Sequence, residues 1–155
     1  MPPAGYLAAA RTLCRERGIL FVLDEIQTGF GRTGRMFAHE HEPGAAPDVL
    51  IVGKALGGGV YPISAVLGSR ELLRLFQPGD HGSTFGGNPL AAAVGRASLA
   101  VLVEENLAAR AAELGQHLLA SVRGLRAPVV TDVRGKGLLI GIEVAPAHGT
   151  ARKFC

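Results

Sequence analysis

Ile19-Leu20-Phe21-Val22-Leu23-Asp24-Glu25 is the stretch on which the fold turns. Its five consecutive apolar residues, three of them β-branched or aromatic, have the length and composition of a strand buried on both faces, and the run stops abruptly at two carboxylates. Upstream, Tyr6, Leu7, Ala10, Leu13 and Cys14 recur at helical spacing, and Gly18 is a natural C-terminal stop, so an amphipathic helix precedes the strand. Downstream, the apolar run Val49 to Val52 ends at Gly53-Lys54, and Ile63 to Leu67 ends at Gly68-Ser69. Helix followed by buried strand is an α/β rhythm, and it predicts helices layered on a mostly parallel sheet.

The rest of the chain carries its own punctuation. Asn88-Pro89 is a helix start, because asparagine caps free amides while proline at the first helical position gives up a donor the helix does not use. A helix to about Val103 is expected, followed by a second over Leu107, Ala111, Leu114, Leu118 and Val122 that ends near Gly124. Pro128 resets the pattern. Val129 to Val133 and Leu138 to Val144, separated by Arg134-Gly135-Lys136-Gly137, read as two antiparallel strands of a different unit, which places a domain boundary near residues 124 to 128. The tail from Ala151 to Cys155 stops where a helix would be starting, so the chain is expected to be cut short.

Composition narrows the function. With 48% apolar and 19% charged residues the chain is globular, not disordered. Sixteen basic against thirteen acidic residues leave a charge of +3 that no segment concentrates, which argues against a nucleic-acid partner. No apolar run approaches the roughly 20 residues needed to span a bilayer, and the first residues carry no signal-peptide pattern, so no membrane association and a cytoplasmic location are expected. Cys14 and Cys155 have neither knuckle nor disulfide spacing, and reduced thiols are expected. The 22 glycines cluster behind the apolar runs, at Gly29, Gly31 and Gly34, at Gly57 to Gly59, at Gly86 and Gly87, and at Gly135 and Gly137, as backbone that turns tightly or approaches a ligand.

Three motif readings fail on inspection. Gly29-Phe30-Gly31-Arg32-Thr33-Gly34 fits GxGxxG, but Asp24 and Glu25 occupy the strand-to-helix turn where a pyrophosphate would sit, and no helix opens after Gly34. Gly53-Lys54 resembles the end of a P-loop, yet Asp48 stands where the first glycine belongs and Ala55 replaces the magnesium-binding hydroxyl. His39-Glu40-His41-Glu42 lacks HExxH spacing and reads as a solvated loop with no metal.

Lys54 and Asp24 are harder to set aside. Either alone is most simply a charged residue ending a strand and reaching water. Both, however, follow buried strands, and ligands in open α/β sheets bind at the carboxyl ends of strands. A lysine in a partly desolvated cleft becomes a better amine nucleophile. An aspartate there can keep a pyridinium nitrogen protonated, so the two together describe a Schiff-base site for a pyridoxal cofactor.

The stretches Leu23-Asp24-Glu25-Ile26-Gln27-Thr28-Gly29-Phe30-Gly31-Arg32-Thr33-Gly34 and Gly53-Lys54-Ala55-Leu56-Gly57-Gly58-Gly59 resemble the class III aminotransferases. His81 to Leu90 and Arg134 to Leu139 extend the resemblance over nearly the whole chain, and Val60 to Leu67 with Pro78 to His81 is most similar to ornithine aminotransferases. The resemblance implies fold type I, with residues 1–124 as the C-terminal part of the large cofactor-binding domain and 125–155 as the start of a small α+β domain. It implies pyridoxal 5'-phosphate as cofactor, Lys54 as the Schiff-base lysine and proton shuttle, Asp24 at the pyridine nitrogen, Gln27 at the phenolic oxygen and Ile26 against the ring face. Thr84 would reach the phosphate of a neighbouring subunit, which implies a homodimer. The implied reaction moves the δ-amino group of ornithine to 2-oxoglutarate. Family members begin much earlier, and the absent half supplies a phosphate-binding turn, an aromatic residue on the ring and substrate contacts, while the arginine for the substrate carboxylate lies in the rest of the small domain. The expectation is therefore a fragment, inactive alone, that works with a chain supplying the missing half. The alternative is a non-catalytic remnant or interaction module, since removing part of a sheet exposes strand edges and apolar faces.

Overall fold

The computed structural model describes residues 2–153. Helix α1 (Tyr6–Glu16) leads into strand β1 (Val22–Asp24), and a long series of turns leads to β2 (Val49–Val52) and β3 (Ala65–Gly68). The short α2 (Arg70–Leu73), the long helices α3 (Pro89–Glu104) and α4 (Leu107–Gly124), and the hairpin β4 (Val130–Lys136) and β5 (Leu139–Val144) follow. Ala151–Lys153 form a single 3-10 turn; residues 154 and 155, into which the expected terminal helix would extend, lie outside the described residues.

The first three strands form one sheet in the order β1-β2-β3. β1 and β2 run parallel, with Val22 opposite Val49 and Asp24 opposite Ile51, whereas β3 runs antiparallel to β2, with Ala65 opposite Val52. The connections explain the difference. A parallel neighbour needs a long crossover, which residues 25–48 provide, while residues 53–64 contain only a 3-10 turn and bring the chain straight back. Residues Leu50 and Val52 of β2 point into the core with Phe30, Leu56 and Leu102, and Val52 is 1% exposed. α3 lies over the turn that follows β2, and the Ser98 hydroxyl donates to the Ala55 carbonyl at 2.9 Å.

Several element boundaries differ from the sequence expectation. Strand β1 begins at Val22, and Ile19, Leu20 and Val22 are 59%, 50% and 47% exposed, so the expected burial on both faces holds only for Phe21 and, in part, Leu23. β1 is an edge strand that, among the described residues, pairs only with β2. In the hairpin, Arg134-Gly135-Lys136 continue β4 instead of separating the strands, and Gly137-Leu138 alone make the turn. Ser69 starts α2 by accepting from the Leu72 N–H at 3.2 Å, a short helix not expected from the sequence. Asn88 caps α3 as expected, accepting from the Ala91 N–H at 2.8 Å.

Glycine is required where the hairpin tip meets α4. Gly137 has φ +53°, and a Cβ added at Gly115 would stand 2.0 Å from the Gly137 carbonyl oxygen. The Leu138 N–H donates to the Arg32 carbonyl at 2.9 Å, so the hairpin tip is clamped between α4 and the Gly29–Gly34 loop. Gly34 (φ +89°) presses on the same helix: a Cβ there would lie 2.8 Å from that of Ala112. Gly31 and Gly34 of the GxGxxG pattern therefore pack closely on α4, Gly29 packs on the Glu25 carbonyl, and no helix opens behind the pattern.

Helix α1 is tethered by charge. Its N-cap, Gly5, has no side chain to satisfy the first amides, and Glu42 takes that role by accepting from the Leu7 and Ala8 N–H groups at 2.9 and 3.2 Å. Arg11 donates to both oxygens of Asp48, at 2.5 and 2.8 Å, and the Phe21 N–H donates to the same carboxylate at 2.8 Å. The Phe21 amide, and next the Arg11 guanidinium, hold the Asp48 carboxyl below the ordinary aspartate range.

Two predictions follow from this packing. Gly115→Ala should lower the urea unfolding free energy by about 1–3 kcal/mol through overpacking, whereas Gly124→Ala, with nothing within 4 Å of its Cβ, should leave it unchanged or raise it. Because Asp48 is depressed in the fold, its contribution is present above the unfolded-state pKa and is lost as pH falls through the lower native value. The protection of α1 amides, taken relative to their intrinsic exchange rate at each pH, should therefore fall at acid pH in the wild type and already be lower at neutral pH in Asp48→Asn.

Candidate active site

The parallel pairing of β1 with β2 brings two chain reversals side by side. Asp24 ends β1 opposite Ile51, and the N–H of the next residue, Glu25, donates to the Ile51 carbonyl at 2.8 Å. Three residues beyond Ile51 comes Lys54, so the two backbones lie within roughly 11 Å, given a rise of about 3.3 Å per residue and a strand spacing of about 4.8 Å. An aspartate and a long lysine side chain both start from the carboxyl ends of adjacent strands. Asp24 and Lys54 are both exposed.

Local geometry fixes each of them. The Asp24 Oδ1 accepts from the Ile26 N–H at 2.9 Å, closing a tight turn that ends the strand. Lys54 has φ +46°, a left-handed conformation that costs a non-glycine residue on the order of 1–3 kcal/mol. It opens the 3-10 turn Lys54–Gly57, whose Leu56 is anchored in the core. Gly53, just before it, is buried, and a Cβ there would meet the Ile26 and Ser64 side chains at 3.4 Å. Ile26 thus rests against the backbone that carries Lys54. Gln27 is exposed on the turns that follow Ile26.

Thr84 stands on a different loop. It is exposed on the loop before α3, and that loop faces residues 61–64 across a cleft of about 610 Å³ lined in part by Tyr61, Ser64, Ser83 and Phe85. Asp24, Ile26 and the Lys54 turn form one cluster with Gln27 beside it, and Thr84 stands on a separate loop.

The histidine segment differs from the sequence expectation. His39 is not solvated: its side chain is 15% exposed, stacks on Phe37 and bonds through Nδ1 to Glu25 at 2.8 Å. The His41 Nε2 lies 3.0 Å from the Thr33 carbonyl. Burial, and next the charge of Lys136, lower the His41 pKa. Among the described residues no group of His, Cys, Asp and Glu has the arrangement of a metal site. Sequence reasoning misses Glu25, which is 3% exposed; its only signal is that it must point to the opposite side of the strand end from Asp24.

The donor set fits pyridoxal phosphate on its ring side. A primary amine suits an aldehyde, a carboxylate suits a protonated pyridine nitrogen, a primary amide suits a phenolic oxygen and a branched aliphatic side chain suits a ring face.

Comparison with known proteins identifies the family. The family model for class-III aminotransferases matches residues 1–155. An ornithine aminotransferase of Bacillus cereus (strain Q1) is 53% identical over the full chain, which covers 38% of that relative. The solved ornithine aminotransferase of Toxoplasma gondii, described with partial occupancy of PLP at its active site, superposes with a TM-score of 0.91 at 46% identity over 95% of this chain and 35% of its own. The acetylornithine aminotransferase of Elizabethkingia anophelis superposes at 0.93 with 44% identity, over 99% of this chain and 39% of its own. The chain thus has the fold of part of a fold type I PLP-dependent aminotransferase and spans well under half the length of these relatives. On the match along all its residues, it belongs to the class-III aminotransferases.

Proposed function

We propose that this chain is the lysine-bearing part of an ornithine aminotransferase, which moves the δ-amino group of ornithine to 2-oxoglutarate in the cytoplasm together with the remainder of the family's length. The observation that carries the reading is the placement of Lys54 and Asp24 at the carboxyl ends of two adjacent parallel strands, with Ile26 packed between their turns.

When bound, pyridoxal phosphate supplies an aldehyde that takes up amines and a ring that withdraws electrons. The chain's own residues then divide the work. The Lys54 Nζ would anchor the cofactor and move a proton at the reacting centre; Lys54 is exposed, with a left-handed backbone, at the start of a turn whose Leu56 is in the core. The Asp24 carboxylate holds a proton at the ring nitrogen; its Oδ1 is already oriented by the Ile26 amide. Ile26 supports the ring face, and Gln27 donates to the phenolic oxygen. Thr84, on its separate exposed loop, suits a role at the cofactor phosphate of a neighbouring subunit, which makes the working form a dimer. On this reading residues 1–124 belong to the large domain and 125–155 begin the small one.

A second reading, an interaction module without catalysis, draws on the exposed apolar residues at the sheet edges: Ile19 and Leu20 leading into β1 with Val22 at one edge, Val66 and Leu67 at the other. It predicts a chain that pairs with other polypeptides without forming a lysine adduct.

The test is to assemble the chain with a polypeptide that supplies the rest of the enzyme and to follow glutamate formation from ornithine and 2-oxoglutarate. Lys54→Ala should abolish turnover, and Asp24→Asn should lower kcat by about 10²–10³-fold, as expected when a charge aligned to the reacting group is removed. Turnover in Lys54→Ala equal to wild type would overturn the proposal.

A further inference from the structure

Glu25 is a buried carboxylate with no role in the reading above, which uses the residues on either side of it. Its side chain is 4% exposed. A carboxylate so far from water is tolerated only when its oxygens are satisfied by donors. The donors come from one segment of chain: the Ala38 N–H at 2.5 Å and the His39 N–H at 2.9 Å, with the His39 ring at 2.8 Å. The Thr28 hydroxyl adds a longer contact at 3.4 Å. The backbone of Glu25 is held as firmly. Its N–H donates to Ile51 of β2, and its carbonyl accepts from the Gly29 N–H at 2.9 Å, where a Cβ on Gly29 would come within 2.8 Å of that oxygen.

Glu25 therefore joins three pieces of structure: the β1–β2 pairing, the turn of residues 25–29, and the loop that returns at 38–39. Asp24 hangs on the peptide immediately before it. Successive side chains leave an extended strand on opposite faces, so burial of Glu25 in the loop directs Asp24 outward on the other side. His39 is itself held by stacking on Phe37, whose ring lies 5.6 Å from that of the core residue Phe30.

We infer that Glu25 is a positioning residue: its carboxylate, bonded to the 38–39 loop, sets the orientation of Asp24 toward the cofactor ring. The inference rests on the proposed aminotransferase function. Glu25 touches neither substrate nor cofactor, so its effect must pass through Asp24, and that dependence is measurable.

The experiment is a double-mutant cycle in the assembled enzyme with Glu25→Gln and Asp24→Asn, read as kcat and as the dissociation constant of pyridoxal phosphate. Glu25→Gln keeps the shape of the side chain but turns one acceptor into a donor facing the donors of the loop. Alone it should lower kcat or weaken cofactor binding on the order of 10- to 100-fold, the usual cost of losing a residue that orients a reacting group. In the Asp24→Asn background it should cost little more, because the residue it acts through is already disabled. Equal losses in both backgrounds would overturn the inference and make Glu25 a general support of the fold. If Glu25→Gln does not assemble, His39→Phe, which keeps the stack on Phe37 and removes one donor, should show the same non-additivity at smaller amplitude; additive behaviour there overturns the inference equally. An inactive wild-type assembly with no adduct on Lys54 would instead remove the underlying functional reading, a result distinct from an active wild type with additive mutants.

Discussion

The parallel register of Val22–Asp24 against Val49–Ile51 is the constraint from which the rest of the site follows. It stops both strands at nearly the same level, so that one turn presents a carboxylate and the next an amine. A slip of one residue would exchange the faces of Asp24 and Glu25, burying the first and exposing the second. Two features oppose such a slip. Glu25 has its donors waiting in the 38–39 loop, and Val52 and Leu50 occupy the core on alternate positions of β2.

The loop between these strands carries much of the molecule's organisation. Residues 25–48 form little regular structure, yet they anchor α1 through Glu42 and Asp48, hold Glu25 through residues 38 and 39, and dock on α4 and the β4–β5 turn through Gly34 and Arg32. Gly31 and Gly34 serve close contact with α4, and Gly29 close contact with the Glu25 carbonyl. A pattern that reads as a nucleotide loop is thereby a packing device, because a residue without a side chain is what both situations demand.

Helices α3 and α4 were legible because their caps and apolar stripes are local: Asn88-Pro89 starts the first, and the Leu107 to Val122 stripe marks the second. Asp24 and Lys54 were legible as strand-end charges, and the resemblance to the family is what joins them into one proposed site. The bounds of β1 were not legible, since Ile19 and Leu20 have strand composition but no partner among the described residues. The antiparallel direction of β3 depends on the brevity of residues 53–64, and composition says nothing of direction. Glu25 and His39 stayed hidden for another reason: the hydrogen bond between a buried carboxylate and an imidazole joins residues 14 apart in sequence, and their types alone look like solvated surface. The exposed apolar edges at Ile19, Leu20, Val66 and Leu67 accord with a chain that spans 38% of its curated relatives.

On the proposed function the amine after β2 and the carboxylate after β1 share one cofactor. This is tested most directly by loading the assembled protein with pyridoxal phosphate, reducing it with borohydride and mapping the modified peptide. The chain has three lysines, Lys54, Lys136 and Lys153, so the answer is unambiguous. A stable adduct should form on Lys54 alone; an adduct on Lys136 or Lys153 instead, or none on this chain, would mean that Lys54 and Asp24 do not share the cofactor.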